Sequence, residues 1–295
     1  MPNIISIIVT FNPNISILEI LLTTLSPQVD NIIIVDNGTS NNILKNIQTI
    51  LPRNGNIIIK NYNSGIASAI NTGIVEAKIK LASHVIIFDQ DSIPTPNMIE
   101  ELISAAVNKK NLAAIGPCYV DKRQDNPPPF VSTQGLRLIR HVYNGNDATV
   151  PVDYLISSGC LIPMEAFDKV GHMREDLFID YVDIEWGLRA KSLGLQSYGL
   201  FSAHMEHNLG DKPFNFFGKN IPIHSPQRHY YHFRNAILLY KEPWINNNWK
   251  FVDFSRLILK YTFYSIFTKP QLKHLYMMSL GIFHGLINKS GKLNK

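Results

Sequence analysis

The sequence has few cysteines and no long apolar run. Its 295 residues include two cysteines, Cys118 and Cys160, which is too few for a disulfide framework or a cysteine-rich zinc site. The first apolar run, residues 4–9, has no basic residue before it and ends at Asn12-Pro13, so we expect neither a secretory signal nor a membrane span there. These features together predict a cytoplasmic protein with buried thiols.

Charge is also scarce, at 17% of residues, and it is unevenly distributed. Residues 241–295 contain nine Lys and Arg and two acids, a formal charge of +7, whereas the first 240 residues carry −2. A nucleic-acid-binding surface on the main part of the chain is therefore not expected. The length suits one large core with a modest appendage.

Short runs rich in Ile and Val alternate with helical patterns in the first half of the chain. Strands are predicted at residues 4–9, 31–35, 56–60 and 84–88, and helices at 15–25, 41–51, 65–78 and 96–108. Because the strands are almost continuously apolar, they should be parallel and buried on both faces. The pattern predicts an α/β fold with a doubly wound, mostly parallel sheet flanked by helices. The glycine triplet of dinucleotide-binding folds is absent.

The second half is less regular. Strands are predicted at residues 112–116 and 154–162, helices at 180–193 and 226–241, and two aromatic-rich helices on either side of Lys269-Pro270. This pattern divides the chain into a main domain, residues 1–240, and a basic, aromatic, helical extension, residues 241–295.

Polar clusters follow three of the predicted strands: Thr10-Phe11-Asn12, Asp36-Asn37-Gly38 and Asp89-Gln90-Asp91. Ligands of open α/β sheets bind beyond the carboxyl ends of the strands, so these clusters should converge. Two carboxylates one residue apart suit Mg²⁺ or Mn²⁺. An isolated Asp-x-Asp more often faces solvent or caps a helix, but the convergence of three clusters favours a metal site at Asp89 and Asp91.

Two further segments indicate a nucleotide site. Asp36 can accept a hydrogen bond from the imide N–H of a pyrimidine base, although Asp-Asn-Gly is also ordinary turn chemistry. Residues 63–73 have spaced glycines and small residues and open a predicted helix, whose N-terminus attracts anions.

A second acidic cluster lies at residues 178–189. An acid there can serve as a general base that takes a proton from an acceptor hydroxyl. The structural alternative is that Asp180 caps the helix with Asp183 at its third position, while Glu185 pairs with Arg189 one turn later. We predict that Glu185 is structural and Asp183 catalytic.

Histidines and arginines supply further candidates. His204 and His207 lack the spacing of a zinc protease, but one imidazole can complete the coordination begun by Asp91. Arg228 lies in a segment with Arg234 and several aromatics, and arginine suits bidentate phosphate contacts. An amphipathic helix that packs its aromatic face inward would have much the same sequence.

The aromatic-rich extension has no run of 18 apolar residues, because Arg256, Lys260 and Lys269 interrupt it. A basic aromatic helix pair can lie in the interface of an anionic bilayer. Packing on the main domain and a dimer contact are equally good explanations.

Together these motifs resemble family 2 glycosyltransferases of the GT-A fold, and among them the bacterial rhamnosyltransferases of polysaccharide and O-antigen assembly. The resemblance covers about residues 4–240. It rests on residues 9–13, 34–37, 63–71, 89–91, 157–159, 178–189, 207–211 and 228–235.

The resemblance implies a role for each candidate residue. It places Asp183 where the family has its general base. A group of residues is implied to bind the nucleotide sugar: Thr10, Asn12, Asp36, Asn63, Gly65, Asn71, Asp89 and Arg228. Asp89, Asp91 and His207 are implied to bind Mg²⁺ or Mn²⁺, with His204 as the alternative histidine.

The activity that follows is an inverting, metal-dependent transfer of a sugar to a hydroxyl of a saccharide acceptor. The resemblance favours dTDP-L-rhamnose as the donor and cell-surface polysaccharide synthesis as the process. If residues 241–295 lie on a bilayer, a lipid-linked acceptor and a peripheral location on the cytoplasmic face of the inner membrane follow; otherwise the enzyme is cytoplasmic. One rival is a nucleotidyltransferase, but Thr10-Phe11-Asn12-Pro13 stands where its phosphate loop would be. Another is a non-catalytic carbohydrate-binding protein, which would be expected to have lost Asp89, Asp91 and Asp183.

Overall fold

The computed structural model describes residues 2–120, 127–143, 145, 148–206, 214–216, 219–221 and 223–293. The described strands are β1 Ile4–Thr10, β2 Asn31–Asn37, β3 Gly55–Lys60, β4 His84–Asp89, β5 Ile93–Pro94, β6 Leu112–Val120, β7 Phe130–Gln134, β8 Arg137–His141, β9 Thr149–Val152, β10 Leu161–Pro163, β11 Gln196–Glu206, β12 Phe214–Phe216 and β13 Lys219–Ile221. The described helices are α1 Ile15–Leu25, α2 Asn41–Thr49, α3 Ile66–Ile79, α4 Met98–Ala106, α5 Met164–Val170, α6 Val182–Ser192, α7 Pro226–Tyr240, α8 Asn247–Phe267 and α9 Gln271–Leu286.

The strands form one large mixed sheet in the order β3-β2-β1-β4-β10-β6-β11-β5, with β9 on the far side of β11. Strands β1 to β4 are parallel, and β10 runs antiparallel to both of its neighbours. Strands β7 and β8 form a separate hairpin, as do β12 and β13. The predicted α/β, mostly parallel sheet flanked by helices is confirmed.

The strand register brings the polar strand exits together. Thr10 lies beside Asp36 across β1 and β2, and Val9 lies beside Asp89 across β1 and β4. The direction in which strands are added to the sheet reverses at β1. Strands β2 and β3 lie on one side of β1, and β4 lies on the other. This switch point is where open sheets bind ligands.

Helices cover both faces of the sheet. One apolar layer lies under α1, α2 and α4, and the other lies under α3 and α5 to α9. Both faces of β1 are buried, as its unbroken apolar sequence predicts. Cys118 and Cys160 are buried free thiols.

The extension packs against the main domain. Trp249 and Leu257 of α8 and Met278 of α9 belong to the same buried cluster as the sheet. Helix α9 crosses α7 at glycines: a Cβ on Gly281 would lie 2.4 Å from the carbonyl oxygen of Tyr230, and one on Gly285 would lie 2.8 Å from that of Arg234. The division at residue 240 stays a prediction, but the two parts share one core.

One predicted strand is largely wrong. Residues 154–162 form a strand only at β10, which begins at Leu161. The chain turns at Gly159, which has a φ of 79° and lies against Pro117 and Met205. Only glycine fits that turn without a clash.

Candidate active site

Asp36 is the centre of the first polar cluster. Its side chain is fully buried, and Oδ1 accepts a 3.1 Å hydrogen bond from the hydroxyl of Thr10. Its Oδ2 accepts from the backbone N–H groups of Gly38 and Thr39 at 3.2 and 3.0 Å. Asn12 is exposed beside it and is held by Thr39 and Ser40. Thr10, Asn12 and Asp36 therefore form one unit at the exits of β1 and β2.

Asn37, which the sequence analysis did not select, organises the loop before α3. Its amide donates to the side-chain oxygen of Asn63 at 3.3 Å and to the carbonyl of Gly65 at 3.2 Å, and its oxygen accepts from the N–H of Ser64 at 2.9 Å. Gly65 has a φ of 91° and lies against Phe178. The loop predicted to bind the donor thus contacts the segment that leads to Asp183.

Asn71 does not face this loop. It is buried in α3, where its amide donates to the carbonyl of Met173 and to Glu175, and its oxygen accepts from the N–H of Met173. These bonds join α3 to the segment before α6. A role for Asn71 in donor binding stays a prediction, but its described contacts are with protein.

Ser158, another residue that we did not select, supports the exit of β4. Its hydroxyl oxygen accepts the backbone N–H of Asp89 at 3.1 Å and lies 2.7 Å from that of Ser92. Gln90 joins the same exit to β1, because its side-chain oxygen accepts the N–H of Phe11 at 2.8 Å. The sequence feature that could have identified Ser158 is the Ser-Ser-Gly motif just before the antiparallel strand β10.

The carboxylates at the end of β4 fit a divalent cation that is shared with substrate. Asp89 and Asp91 are both half-buried at the switch point. Within the part of the chain that the structure describes, no group of three or more His, Cys, Asp and Glu side chains can hold a metal by itself. Mg²⁺ commonly binds one or two carboxylates plus substrate phosphates, so the pair is sufficient for a phosphate-dependent site.

The predicted histidine ligand, His207, lies outside the described residues. Strand β11 ends next to β5, where Glu206 pairs with Ile93, two residues beyond Asp91. His204 is within β11, and its ring lies edge-on to Tyr143 with centroids 6.3 Å apart. The choice between the two histidines stays a prediction.

The segment before α6 has an unusual backbone. Phe178, Asp180 and Tyr181 have φ values of 66°, 64° and 63°, a region that bulky residues seldom occupy. The amide of Asn235, on α7, donates to three carbonyls of this segment, those of Leu177, Ile179 and Asp180, at 2.8 to 2.9 Å. Backbone strain of this kind is concentrated at functional sites.

Asp183 lies in the first turn of α6, within electrostatic range of Asp89 at the exit of β4. The pKa of Asp183 is raised to about 6, and the largest cause is burial; the backbone N–H of Ile184 opposes the rise, while the negative charges of Asp180 and Asp89 contribute to it. A carboxylate with a raised pKa binds a proton more readily and is suited to act as a general base near neutral pH.

Glu185 and Arg189 have the structural role that was predicted for them. Glu185 is fully buried, and its two oxygens accept from Arg189 at 2.9 and 3.0 Å. Arg189 also donates to the carbonyls of Val170 and His172. This network joins α6 to the end of α5. The alternative in which Asp180 caps α6 is wrong, because Tyr181 is the N-cap and no side chain there accepts a hydrogen bond.

Arg228 pairs with Asp180. Its Nε lies 3.1 Å from Oδ1 of Asp180, and its position in the first turn of α7 is fixed by a cap from Ser225. Burial lowers the pKa of Arg228, but the charge and hydrogen bond of Asp180, with smaller contributions from the charges of Asp89 and Asp183, raise it above its usual value. Arg228 is therefore close to both candidate chemical groups and bound to the strained segment.

Helix α8 adds two cations that the sequence analysis did not select. Burial lowers the pKa of Lys260 to about 8, and the charge of Asp180 is among those that oppose this effect. Arg256, one turn earlier, hydrogen-bonds to Tyr154. No sequence motif identifies Lys260 and Arg256, because their proximity to Asp180 and Tyr154 depends on how α8 packs.

Comparisons with known proteins agree with this geometry. The family model of "Glycosyl transferase family 2" matches residues 6–171. A curated relative from Shigella flexneri, dTDP-rhamnosyl transferase RfbF, is 38% identical over 242 residues, which are 81% of this chain and 80% of that protein.

Two solved structures share the fold. GalNAc-T7 with UDP, GalNAc and Mn²⁺ superposes with a TM-score of 0.66 at 12% identity over 97% of this chain, which spans 56% of that one. The mannosyltransferase PcManGT from Pyrobaculum calidifontis, in complex with GDP-Man and Mn²⁺, superposes with a TM-score of 0.62 at 12% identity, over 98% of this chain and 88% of that one. These matches confirm the predicted GT-A fold.

Proposed function

Because the chain belongs to glycosyl transferase family 2, we propose that it transfers L-rhamnose from dTDP-L-rhamnose to a hydroxyl of a saccharide acceptor, with inversion at the anomeric carbon. The identity to dTDP-rhamnosyl transferase RfbF, over four fifths of both chains, supports the donor. The observation that carries the mechanism is that Asp183 is half-buried at the start of α6, close enough to Asp89 for the charge of Asp89 to raise its pKa.

The donor nucleoside binds at the exits of β1 and β2. Asp36 is held rigid by Thr10 and two backbone N–H groups, and a carboxylate oxygen has capacity for more than one hydrogen bond. One remaining acceptor position at Asp36 suffices to receive the imide N–H of thymine. Asn12, Asn63 and Gly65 belong to the loops that hydrogen-bond with the residues next to Asp36, and Arg228 would reach the diphosphate or the acceptor.

Asp183 acts as the general base. It takes the proton of the acceptor hydroxyl while that oxygen attacks the anomeric carbon and the bond to the nucleoside diphosphate breaks. A single displacement on the face opposite the leaving group inverts the configuration. The strained segment, fixed by Asn235 and Arg228, holds Asp183 in place before substrate binds, so little reorganisation is needed in the transition state.

Mg²⁺ or Mn²⁺ is the proposed cofactor, and both solved neighbours were crystallised with Mn²⁺. Asp89 and Asp91 would hold the cation, with His207 as a third ligand. A bound cation supplies positive charge that stabilises the departing diphosphate.

The acceptor is proposed to be lipid-linked, because the extension has a surface suited to a bilayer. Twelve large apolar side chains on α8, α9 and the residue after α9 are exposed: Phe251, Phe254, Ile258, Leu259, Ile266, Phe267, Leu272, Leu275, Tyr276, Phe283, Leu286 and Ile287. We call this set the apolar face. A charge of +7 on the same segment favours anionic lipid. None of the helices described here is long and apolar enough to span a membrane.

The biological setting follows as part of the same proposal. A peripheral enzyme on the cytoplasmic face of the inner membrane would meet both a soluble sugar nucleotide and a lipid-linked acceptor. Synthesis of a cell-surface polysaccharide is the process that needs this transfer, and the two reduced, buried thiols suit that compartment.

A thermal-shift screen tests the donor. Protein with Mn²⁺ is melted with dTDP-rhamnose, UDP-sugars and GDP-mannose, and dTDP-rhamnose is expected to raise Tm most. Release of free nucleoside diphosphate is then measured with the best ligand. Tight binding without any release would leave a non-catalytic carbohydrate-binding protein as the better explanation.

Titration calorimetry tests the metal. Asp91→Ala is expected to abolish Mn²⁺-dependent nucleotide binding, whereas Asp168→Ala, an exposed acid on α5, is not. Unchanged binding in Asp91→Ala would remove this residue from the site.

Vesicle flotation tests the apolar face. Leu259→Ser combined with Leu272→Ser, 70% and 81% exposed in the wild type, should reduce binding to phosphatidylglycerol vesicles. Leu81→Ser, 82% exposed after α3, is the matched control. Equal flotation of all three proteins would show that the extension contacts something other than the bilayer.

A further inference from the structure

A cavity of about 200 Å³ lies beside the proposed catalytic centre. Its walls come from β6, the β7 hairpin strand, the residues before β10 and helix α8. Among the lining residues are Pro117, Tyr119, Phe130, Tyr154, Ser158 and Arg256. Nothing in the donor site described above uses this space.

The cavity and the catalytic centre share residues and charges. Ser158, which lines it, accepts the backbone N–H of Asp89. Burial raises the pKa of Tyr154 to about 12, and the negative charge of Asp183 is among the groups that contribute to that rise. Burial and then the charge of Asp183 also raise the pKa of Cys160, which lines the same space. The cavity wall is therefore joined to the exit of β4 through Ser158 and lies within electrostatic range of Asp183.

The lining has the chemistry of a sugar-ring site. Phe130, Tyr154 and the prolines offer apolar surface for the C–H face of a pyranose, while Ser158 and Arg256 offer hydrogen bonds at its rim. The guanidinium fork matches two neighbouring oxygens better than an ammonium group does. The volume is below that of most sites for drug-sized ligands, which begin at about 300 Å³, so one ring fits and a disaccharide does not.

Helix α8 fixes Arg256 at this wall. Asp253, one turn before it, accepts hydrogen bonds from the hydroxyls of Tyr181 and Tyr240, and Leu257 is buried in the core. Asp253 and Arg256 both act electrostatically on Tyr154. Asp253 lies three residues before Arg256 on the same helix, and the two charges act on Tyr154 with opposite signs, so a neutral ligand suits this wall.

We propose that this cavity binds the terminal, neutral pyranose ring of the acceptor, and that Arg256 is a specificity-determining residue that hydrogen-bonds two of its hydroxyls. The proposal rests on the proposed sugar transfer. It gives α8 two functions: Arg256 contacts the acceptor ring, and the exposed side chains of the apolar face meet the lipid.

The test measures nucleoside diphosphate release from the donor by the full chain with Mn²⁺. Release in water alone reports the proposed function. The increase produced by each of three probes, methyl α-L-rhamnoside, methyl β-D-galactoside and methyl N-acetyl-β-D-glucosaminide, reports the cavity. No release at all would refute the sugar transfer, whereas release that no glycoside stimulates would refute the acceptor subsite alone.

Two variants then test whether the stimulating glycoside binds in the cavity. Arg256→Lys keeps the charge but loses the fork, and Val131→Trp fills the cavity from β7. Both should raise the KM for the stimulating glycoside about tenfold or more while the KM for the donor moves far less. Lys273→Ala, exposed on α9, is the control and should match the wild type.

Saturation-transfer NMR with Mg²⁺ and the nucleoside diphosphate measures glycoside binding without turnover. It should show a signal for the wild type that Val131→Trp loses. A glycoside KM within twofold of the wild-type value in both variants, with the NMR signal retained, would overturn the proposal.

Discussion

The hydroxyl of Tyr181 donates a 2.8 Å hydrogen bond to Oδ2 of Asp253, which joins the strained segment before α6 to helix α8. The hydroxyl of Tyr240 donates to the same oxygen at 2.7 Å. Tyr181 has a positive φ and lies two residues before Asp183. The position of the proposed base therefore depends on a helix that is distant in sequence.

Replacing Asp253 with Asn should weaken this connection. The amide keeps the shape but loses the charge that strengthens both hydrogen bonds, and bonds to charged groups contribute about 1.5–3 kcal/mol each to stability. We expect a lower free energy of unfolding in urea and a fall in kcat that exceeds the change in donor KM. Ser255→Ala, on the exposed side of α8, is the control. A stable Asp253→Asn enzyme with normal kcat would show that α8 does not position Asp183.

Asp183→Asn should stop turnover while the donor still binds. A general base contributes about 10²- to 10⁴-fold to rate, so kcat should fall within that range. Donor affinity, measured by calorimetry, should stay within about twofold, because Asp36 and the metal carboxylates are intact. Wild-type turnover in this variant would remove Asp183 from the mechanism.

The raised pKa of Asp183 predicts the acid limb of the pH profile. The base must be ionised in the free enzyme, so kcat/KM should fall tenfold per pH unit below about pH 6. The folded protein also holds this proton more tightly than the unfolded chain, whose pKa is 3.8. Stability from this group is thus complete below pH 3.8 and is lost as the pH rises through about 6. Thermal melts at pH 7 should accordingly show Asp183→Asn to be at least as stable as the wild type, and a loss of Tm would contradict this.

Gly65→Ala should disturb the joint between the donor loop and the catalytic segment. At a φ of 91°, an added Cβ would lie 2.7 Å from the carbonyl oxygen of Phe178. A strained backbone costs about 1–3 kcal/mol, and the clash adds to it. Gly135 has a φ of 56°, and among the described residues no atom beyond its chain neighbours lies within 4 Å of an added Cβ, so Gly135→Ala introduces backbone strain without a clash. Equal losses of unfolding free energy for the two variants would show that Phe178 moves away from the added Cβ without an energetic penalty.

Much of the fold could be predicted because the local signals agree. The apolar runs of β1, β2 and β4 and the polar residues at their ends specify parallel strands and their ligand edge. The same logic placed Asp36 and Asp89 at strand ends and paired Glu185 with Arg189, while the roles of Asp36, Asp89 and Asp183 stay predictions. These residues lie close to regular elements whose period can be read from the sequence.

What could not be predicted depends on packing between distant segments. In the sequence, Arg256 and Lys260 are indistinguishable from other basic residues of an amphipathic helix. Their proximity to the site is evident only once the packing of α8 is known. Ser158 and Asn37 act through backbone hydrogen bonds, which leave no periodic pattern. The strand predicted at residues 154–162 failed because the positive φ of Gly159, set by contact with Pro117 and Met205, overrides local β propensity.

The glycine contacts between α7 and α9 have a practical consequence for protein engineering. Gly281 and Gly285 let two backbones approach more closely than any side chain would allow, so the surfaces of these helices match as a pair. A chimera that exchanges the extension between relatives at residue 240 would separate α7 from α9. It would join an α7 and an α9 whose surfaces do not match. Exchange before Pro226 keeps α7, α8 and α9 together, and is the crossover point at which acceptor preference should transfer with the tail.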